Sequence, residues 1–596
     1  MSEGEVSRIF LIGFNRCGGA WFRDVFQAAG LRWRHDRTGD LAADIAWHAA
    51  QGTRPLDRWP RLVGVSGLQR WNKPHLPKIE AFRHFAFLQA QFPDALFIYN
   101  DRDPADWIAS RFFHRAGRFA DCEARHRGCH RRDLPQAWLK ERAAHKLRVL
   151  RHFEGKPRFL HFDLSHDADD KLRDWAAPWV TLGDLPTDRG IESAAESVAQ
   201  IDALAEDLHA RARRPRRRPG RPDQAFADAV AAHCLGTVAE GGGNGALSPA
   251  AAFWHPDGTI AGKDGQPLPL LRSADGPYLA QAHDQARDRV QAVVNGLQDL
   301  GARPPLALDM QDAREAGAGG RPPPAQRTLA YNRRPGAANL VLWPLPGYHD
   351  LAPEGRPGAF PADDVPFKDK PDLCLWYGNL TGKPWPHLAP ELGERRMAHH
   401  YLRALAEGPE AERRHHIGQA LGAVTRYRVV ARLHGRPGFE MGFVLPPKHQ
   451  TAGQDRMLAH LVTGRVPETW VQRGKYVLSL SGNDTGSNFL SAAASNAVVL
   501  KEEDEWELFY TAAFRPWEHY IPLAPGGDDI EARLDWARSN PAHCREMAAA
   551  SRALVAKFAA PETQRAWMGA VLDALGARGA PPAQAGAISR EPSLPP

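Results

Sequence analysis

The sequence predicts an α/β protein, because short apolar segments alternate with amphipathic helices in both halves of the chain. In the first half, apolar segments at 9–12, 96–99 and 159–164 alternate with helical patterns at 21–29 and 105–113. This alternation is typical of a mostly parallel sheet whose crossover connections are helices.

The second half repeats this rhythm and predicts a second parallel α/β region. The apolar segments there follow the same spacing, with a helix or a polar loop between consecutive strands. The predicted strands are 339–343, 373–376, 427–431, 476–480 and 497–500, and the predicted helices are 394–406 and the segment from 530 onward.

Composition divides the chain of 596 residues into several folding units, since a single core rarely exceeds about 250–300 residues. An Arg/Pro-rich segment at 211–222 and a Gly-rich segment at 240–245 are typical of an interdomain linker. The predicted domains are 1–210 and 250–576, joined by a linker over 211–249 and followed by a disordered tail at 577–596.

The positive charge is concentrated in that linker. The net charge is +6, and residues 211–221 contain seven Arg and no acid, so the remainder of the chain is about neutral. No distributed basic face is expected, which argues against a nucleic-acid partner. Contact of the Arg-rich linker with an anionic membrane surface is the sharper alternative to a solvated linker.

Neither a signal peptide nor a transmembrane segment is expected. The N-terminus is polar, and no apolar run approaches the ~20 residues that span a bilayer. The cytoplasm is therefore the expected location, with peripheral contact at the inner membrane as the alternative. The six scattered cysteines predict neither a disulfide scaffold nor a metal site.

A glycine-rich loop follows the first predicted strand. Residues 13–20 (GFNRCGGA) lie between a strand and a helix, where backbone N–H groups and the helix N-terminus attract an anion, and Arg16 can add charge-assisted hydrogen bonds. A second turn, 100–104 (NDRDP), follows the predicted strand 96–99 and leads into a helix that carries Ser110. Arg102 and Ser110 could converge on a second phosphate.

These stretches, over residues 7–185, resemble sulfotransferases that use 3′-phosphoadenosine-5′-phosphosulfate (PAPS). The resemblance implies a P-loop-like parallel sheet in which Arg16 and Gly18 contact the 5′-phosphosulfate. It also implies that Arg102 and Ser110 bind the 3′-phosphate, and His35 is placed where a general base would act. The hydroxyl residues that usually follow the loop glycine are Gly19 and Ala20 here, which leaves backbone donors only.

The densest polar motif follows the predicted strand 476–480. Residues 481–488 (SGNDTGSN) open the next helix, and crevices at the carboxyl ends of strands are where α/β sheets bind nucleotides. Gly482 allows close approach of the backbone, and Asn483, Asp484 and Asn488 supply donors and acceptors.

Residues 250–560 resemble the family 90 glycosyltransferases, most specifically in the last third. The matching features are the Gly482-Asn483-Asp484 turn, Asn488, the Trp506-Glu507 pair, and Pro516 with His519-Tyr520. The resemblance implies two Rossmann-like halves (GT-B type) around a nucleoside-diphosphate sugar, expected to be a UDP-sugar, with no metal. Glu507 would accept hydrogen bonds from the donor ribose.

The family 90 resemblance also implies a general base in the first half of the glycosyltransferase region. Asp312 is the best positional match and Asp309 the alternative. Without a metal, the charge of the leaving diphosphate would be met by backbone N–H groups and by Lys475, Arg426 or Arg428.

Together these features predict a transferase that moves sugar to a hydroxyl of a cell-surface polysaccharide, lipopolysaccharide or lipid-linked acceptor, with a fused sulfotransferase-like domain. Two alternatives stay open. One is a glycosyltransferase with a non-catalytic N-terminal binding domain, and the other is a non-catalytic scaffold that binds glycan or nucleotide. Turnover of a labelled donor distinguishes the enzymes from the scaffold.

Overall fold

The computed structural model describes residues 7–115, 117–190, 194–212, 220–272, 276–281, 283–352 and 359–578. They form two compact units, which we call unit 1 (Met1–Arg218 with Pro267–Gly296) and unit 2 (Pro219–Gln266 with Leu297–Pro596). Both units contain parallel sheets with helices between the strands, so the predicted α/β class is confirmed.

Unit 1 is built around a five-stranded sheet. The strands of unit 1 up to residue 163 are β1 (Ile9–Leu11), β2 (Trp33–His35), β3 (Gly64–Ser66), β4 (Gln69–Arg70), β5 (Ile79–Glu80), β6 (Leu96–Asp101) and β7 (Phe159–Asp163). Of these, β4 and β5 pair with each other in a separate two-stranded sheet. The helices of unit 1 up to residue 212 are α1 (Gly19–Ala28), α2 (Asp40–Gln51), α3 (Phe85–Gln91), α4 (Pro104–Phe113), α5 (Arg118–Arg127), α6 (Leu134–His152), α7 (Asp169–Ala176) and α8 (Ala194–Ala212).

The strand order in the five-stranded sheet is β2-β3-β1-β6-β7, and every pair of neighbours is parallel. Strand β1 is central and entirely buried, as expected for a strand covered by helices on both faces. Strands β2 and β3 lie on one side of β1, and β6 and β7 lie on the other. The loop after β1 therefore lies at the switch point, where open α/β sheets bind ligands.

The remaining elements follow in chain order. They are α9 (Gln224–Leu235), β8 (Ala252–Trp254), β9 (Ile260–Gly262), β10 (Leu270–Arg272), β11 (Tyr278–Ala280), α10 (Gln285–Asp299), β12 (Leu306–Leu308), β13 (Thr328–Ala330), β14 (Leu340–Leu342), β15 (Cys374–Gly378), α11 (Ala398–Ala406), α12 (Ala411–Gly422), α13 (Thr425–Leu433), β16 (Phe439–Phe443), β17 (Tyr476–Ser479), α14 (Phe489–Ala493), β18 (Val498–Glu502), β19 (Ile521–Leu523), α15 (Ile530–Ser539), α16 (Pro541–Ala559) and α17 (Pro561–Ala574).

Unit 2 contains two five-stranded sheets. In the first, of order β14-β13-β12-β8-β9, strands β12 to β14 are parallel, and β8 and β9 are added antiparallel. The second, of order β16-β15-β17-β18-β19, is parallel throughout. The polar residues discussed below follow the carboxyl ends of β12 and β13 in one sheet and of β15, β17 and β18 in the other.

The predicted strand 427–431 is wrong, because these residues lie within α13. Its apolar and β-branched residues suggested a strand, but the buried positions are Thr425, Arg426, Val429, Val430 and Leu433. This spacing of one and four residues is the period of a helix with one buried face.

The boundaries of the compact units differ from the predicted domain limits in one segment. Residues 267–296 cluster with unit 1, since Leu279 packs against its hydrophobic core and Asp288 pairs with Lys73 at 2.6 Å. Helix α9, expected within the linker, packs on α17 in unit 2. Residues 213–219 of the Arg-rich run and 579–596 of the predicted tail lie outside the described residues. The predicted functional division of the chain stays a prediction.

Candidate functional site

Four consecutive polar residues follow β13 in unit 2: Tyr331, Asn332, Arg333 and Arg334. We call them the 331–334 segment. The backbone N–H of Arg333 donates to the carbonyl of Glu507 at 3.0 Å, and the N–H of Glu507 donates back at 2.8 Å. The segment that follows β13 of the first sheet is thereby held against Glu507, which follows β18 of the second sheet.

Asp312, the predicted general base, lies beside this segment. Its Oδ1 accepts a hydrogen bond from Tyr331 Oη at 2.8 Å, and its Oδ2 accepts one from Asn483 Nδ2 at 2.9 Å. The structure therefore brings Asp312 together with the predicted donor-binding turn.

Asp309, the alternative base, is buried and already hydrogen-bonded. Its carboxylate accepts from the backbone N–H of Ser248 at 2.8 Å, from Ser248 Oγ at 2.6 Å and from Arg314 at 3.2 Å. These contacts give Asp309 a structural role at the end of β12, whereas Asp312 is only half-buried.

Asp484 lies at the centre of the same cluster. Its Oδ2 lies within hydrogen-bond distance of Tyr331 Oη and accepts from Asn332 Nδ2 at 2.7 Å, and its Oδ1 accepts from the N–H of Thr485 at 2.7 Å. Burial raises the pKa of Asp484, and the nearby charge of Asp312 acts in the same direction. Two carboxyl groups are thus held on opposite sides of one tyrosine hydroxyl.

A buried guanidinium lies directly under the glycine turn. Arg426, on α13, donates to Thr381 Oγ1 at 2.6 Å and to the carbonyls of Asn379 and Leu480 at 3.0 and 3.1 Å. A Cβ at Gly482 would lie 2.7 Å from Arg426 Nη2, so only glycine allows this approach. Burial lowers the pKa of Arg426 to about 10, and its Nε has no hydrogen-bond partner.

The other two predicted cations lie elsewhere. Arg428, two residues further along α13, pairs with Asp528 at 2.8 Å at the surface. Lys475 precedes β17 at its amino end, with its ammonium 5.8 Å from the ring centroid of Phe367. Of the three candidates, only Arg426 lies next to the 481–488 turn.

The turn is anchored from below by Glu502, the last residue of β18. This fully buried carboxylate accepts from Thr425 Oγ1 at 2.6 Å and from the N–H groups of Ser481 and Gly526, both at 2.8 Å. Asn488 has a similar anchoring contact, because its Nδ2 donates to the carbonyl of Leu478 at 2.8 Å. Its predicted role in donor binding stays a prediction.

Glu507 is not part of a solvated acidic run. Its Oε2 accepts from Arg333 Nε at 2.7 Å, and the remaining donors of this buried guanidinium bind the carbonyls of His233, Cys234 and Leu340. The Glu507 side chain stays 25% exposed, so one carboxylate oxygen can still meet a ligand. Its predicted ribose contact has to share the group with Arg333.

In unit 1, the loop after β1 lines a cavity of about 290 Å³. Arg16, Gly18, Gly19 and His35, among other residues, line it together. The loop is held by Asn100, which accepts from the N–H of Gly13 at 3.0 Å and donates to the carbonyl of Cys17 at 2.6 Å. The loop predicted to bind an anion and the predicted base thus line one cavity.

His35 contacts Ser66 in this cavity, with Nδ1 2.9 Å from Ser66 Oγ. Burial and the neighbouring Arg23 and Arg37 lower the pKa of His35, which favours the neutral imidazole that a general base requires. A Cβ at Gly19 would lie 3.0 Å from His35 Cε1, so the missing hydroxyl residue coincides with close packing against this histidine.

The predicted second phosphate site is closed in this structure. Arg102 and Ser110 are 1% and 2% exposed, and neither is among the residues that line the cavity. Arg16 Nε donates to Ser110 Oγ at 2.8 Å, and Arg102 donates to the carbonyl of Arg16 at 3.3 Å. The three residues lie together, but a phosphate at Ser110 would have to displace the Arg16 side chain. The predicted phosphate contacts stay predictions.

Within the described part of the chain, no group of three or more His, Cys, Asp or Glu side chains is arranged to hold a metal ion. No helix among these residues is long and apolar enough to cross a membrane.

Sequence reasoning missed Tyr331 and Asn332. The strand before them, β13, has only three residues, too few for a periodicity to identify it. The available signal was a run of polar residues directly after a short apolar segment (TLA), which is what the carboxyl end of a buried strand looks like.

Comparisons with known proteins address the C-terminal part of the chain. Residues 471–574 match the family model described as Glycosyl transferase family 90. This segment includes the 481–488 turn, Glu502 and Glu507.

Individual relatives match over short segments. A stretch of 81 residues is 32% identical to uncharacterized protein 027R of Frog virus 3 and covers 13% of this chain and 8% of the viral protein. A stretch of 74 residues is 24% identical to Protein O-glucosyltransferase 3 of Mus musculus and covers 12% of this chain and 15% of that protein. These matches span less than a sixth of the relatives' own length.

A solved structure, the C-terminal domain of a glycosyl transferase group 1 family protein from Francisella tularensis, matches with 13% identity and a TM-score of 0.19. The match covers 33% of this chain and 93% of that domain. At this TM-score the match carries no weight for the fold.

The buried Asp504 predicts a pH dependence of stability. Burial raises the pKa of Asp504 to about 6, against about 3.9 for an unfolded aspartate. The stability that this proton contributes is full below the unfolded value and is lost as the pH rises through about 6. Asp504→Asn stays neutral at every pH. Its free energy of unfolding, compared with that of the parent protein, should therefore rise by roughly 1–3 kcal/mol from about pH 4 to about pH 8. Denaturant unfolding of both proteins at each pH measures the difference in their free energies of unfolding. The same difference at both pH values would contradict the prediction.

Proposed function

We propose that the C-terminal part of this chain transfers a sugar from a nucleoside-diphosphate donor to a hydroxyl group of a glycan. The observation that carries the proposal is the position of Asp312, hydrogen-bonded to Asn483 of a glycine turn that lies on the buried Arg426. A carboxylate, a close backbone turn and an unpaired guanidinium nitrogen thereby meet at the carboxyl ends of strands from two sheets. Two facing Rossmann-like halves (GT-B type) would place a donor between these ends.

In this mechanism Asp312 takes the proton from the acceptor hydroxyl. The oxygen then forms a bond to C1 of the sugar, while the bond from C1 to the diphosphate breaks and its electron pair leaves with the diphosphate. Arg426 and the N–H groups of the 481–488 turn would stabilise the developing negative charge, so that no metal is required.

The donor we propose is a UDP-sugar, with Glu507 at the ribose. The acceptor would be a cell-surface polysaccharide, a lipopolysaccharide or a lipid-linked glycan, processed in the cytoplasm, with the Arg-rich run touching the inner membrane. The name of the murine relative, an O-glucosyltransferase, suggests glucose as the first sugar to try. Incubation of the full chain with labelled UDP- and GDP-sugars tests the proposal, and hydrolysis or transfer of none of them would overturn it.

Arg426 and Arg428 offer a matched pair of variants on one helix. Arg426→Met should weaken the binding of UDP by about tenfold to a hundredfold, because it removes a charge-assisted contact worth ~1.5–3 kcal/mol. Arg428→Met should leave the affinity unchanged, since its partner Asp528 lies at the surface. Calorimetry measures the dissociation constant of UDP for both variants, after circular dichroism has confirmed that each is folded. Equal constants would exclude Arg426 from the diphosphate site.

Glu507→Gln should also weaken UDP binding, by a similar ~1.5–3 kcal/mol, if one oxygen accepts a ribose hydroxyl. Because the change also weakens the Arg333 ion pair, the melting temperature has to be measured alongside. Glu505→Gln is the control, since the Glu505 side chain is 82% exposed. A lower melting temperature without loss of affinity would assign Glu507 to the fold alone.

Unit 1 supports a second candidate function, sulfuryl transfer from PAPS. The specific observation is that Arg16, Gly18 and His35 line one cavity at the switch point of a parallel sheet. In this proposal Arg16 and the loop N–H groups hold the phosphosulfate, and neutral His35 takes the acceptor proton. Arg102 and Ser110 hold the 3′-phosphate once the Arg16 side chain has moved away from Ser110. If unit 1 binds the nucleotide without turnover, it serves as a binding domain for the glycosyltransferase.

Binding of 3′-phosphoadenosine-5′-phosphate to the full chain tests this candidate. Arg16→Ala should weaken binding by about tenfold or more, the scale of one charge-assisted hydrogen bond. Arg23→Ala on α1 is the control, because Arg23 pairs with the adjacent Asp24 and does not line the cavity. Calorimetry that shows no binding, or binding unaltered by Arg16→Ala, would remove the sulfotransferase reading.

A further inference from the structure

The hydroxyl of Tyr331 bridges two carboxyl groups. Its oxygen lies 2.8 Å from Asp312 Oδ1 and also within hydrogen-bond distance of Asp484 Oδ2. The ring is buried, with 5% of the residue exposed, so the hydroxyl is held between the two carboxyl groups.

Hydrogen counting restricts the protonation state of this chain of contacts. Each of the two oxygen–oxygen contacts needs a hydrogen, and a tyrosine hydroxyl supplies only one. A proton on one of the two carboxyl groups would supply the second hydrogen. One proton on the pair Asp312 and Asp484 would then satisfy both contacts.

Asp484 is the better site for that proton. Burial raises the pKa of Asp484, and so does the charge of Asp312. If Asp484 donates to Tyr331 Oη, the tyrosine hydrogen has to point at Asp312. The carboxylate of Asp312 then receives two donors, Tyr331 and Asn483.

We propose that Asp484, Tyr331 and Asp312 act as one acid–base unit, in which a protonated Asp484 turns the Tyr331 hydroxyl toward Asp312. Asp484 and Tyr331 are positioning residues here, and Asp312 alone meets the acceptor. The shared proton does not depend on the proposed glycosyl transfer. Only its effect on catalysis rests on that proposed function. The proton that Asp312 takes comes from the acceptor hydroxyl as its oxygen bonds to the sugar and the diphosphate departs.

Other charged and titratable groups lie near the acid–base unit and contribute to the electrostatic potential at its two carboxyl groups. Arg314 donates to the backbone carbonyl of Asp312 at 2.6 Å, and the ring of His349 lies 6.0 Å from that of Tyr331. The further groups are Asp309, Arg426, Asp504 and Tyr510.

The rate of glycosyl transfer as a function of pH tests the acid–base unit formed by Asp484, Tyr331 and Asp312. The parent enzyme should give a bell-shaped kcat profile, because loss of the Asp484 proton at higher pH lets the Tyr331 hydrogen turn away from Asp312. Asp484→Asn stays neutral at every pH, so it should retain kcat within about tenfold and lose the alkaline limb. An alkaline limb unchanged in this variant would overturn the proposal.

Tyr331→Phe should lower kcat by about tenfold to a hundredfold, with the KM of the donor unchanged, because it removes only the hydrogen bonds of the hydroxyl. Tyr348→Phe is the control, since Tyr348 is 52% exposed and should leave both constants unchanged. A higher donor KM with unchanged kcat would overturn the positioning role.

An activity-independent measurement separates this inference from the proposed function. Infrared difference spectra of the full chain at neutral pH should show the C=O stretch of a neutral carboxyl group that Asp484→Asn removes. Absence of this band in the parent protein would overturn the shared proton whatever the enzyme does. Presence of the band without turnover of any sugar donor would sustain the shared proton and reject the glycosyltransferase proposal.

Discussion

The candidate site of unit 2 depends on the pair of backbone hydrogen bonds between Arg333 and Glu507, at 3.0 and 2.8 Å. These bonds fix the 331–334 segment against the run that follows β18. The Arg333 guanidinium strengthens the junction, because it binds the Glu507 carboxylate together with three backbone carbonyls. With the segment fixed in this way, Tyr331 and Asn332 have their side chains directed at Asp484.

Buried charge is a second constraint on the same region, since each buried ionic group needs partners that replace water. Glu502 meets this need with three donors, one at the start of α13 and two in the loops after β17 and β19, and Arg426 meets most of it with three acceptors. The loops after β15 and β17 are therefore held in place before any ligand arrives. In the proposed reaction such preorganised dipoles would stabilise the departing diphosphate without reorganisation.

The two units hold their glycine-containing loops in a similar way. In each, a glycine-containing loop follows a buried parallel strand, and a side chain from a neighbouring strand or helix holds it: Asn100 in unit 1 and Arg426 in unit 2. The units differ in how open the loop is. In unit 1 the Arg16–Ser110 contact closes the predicted 3′-phosphate site, whereas Arg426 keeps an unpaired nitrogen beside its turn.

The sequence alone was sufficient for the α/β class and for the strands that precede both glycine turns, because buried parallel strands are short, continuous apolar segments. It also brought Asp312 and Asn483 into one hypothesis, through the family resemblance. It failed at α13, where β-branched residues hide a helical burial period, and at β13, which is too short to show any period.

Only the tertiary structure decided which charges belong to the site. Lys475, Arg426 and Arg428 look equivalent in the sequence, yet Arg426 alone lies at the turn. Likewise, nothing in the sequence places Tyr331 between Asp312 and Asp484. The physical reason is that these contacts join residues about 20 to 150 positions apart on different strands, and local patterns determine elements but not which strand ends meet.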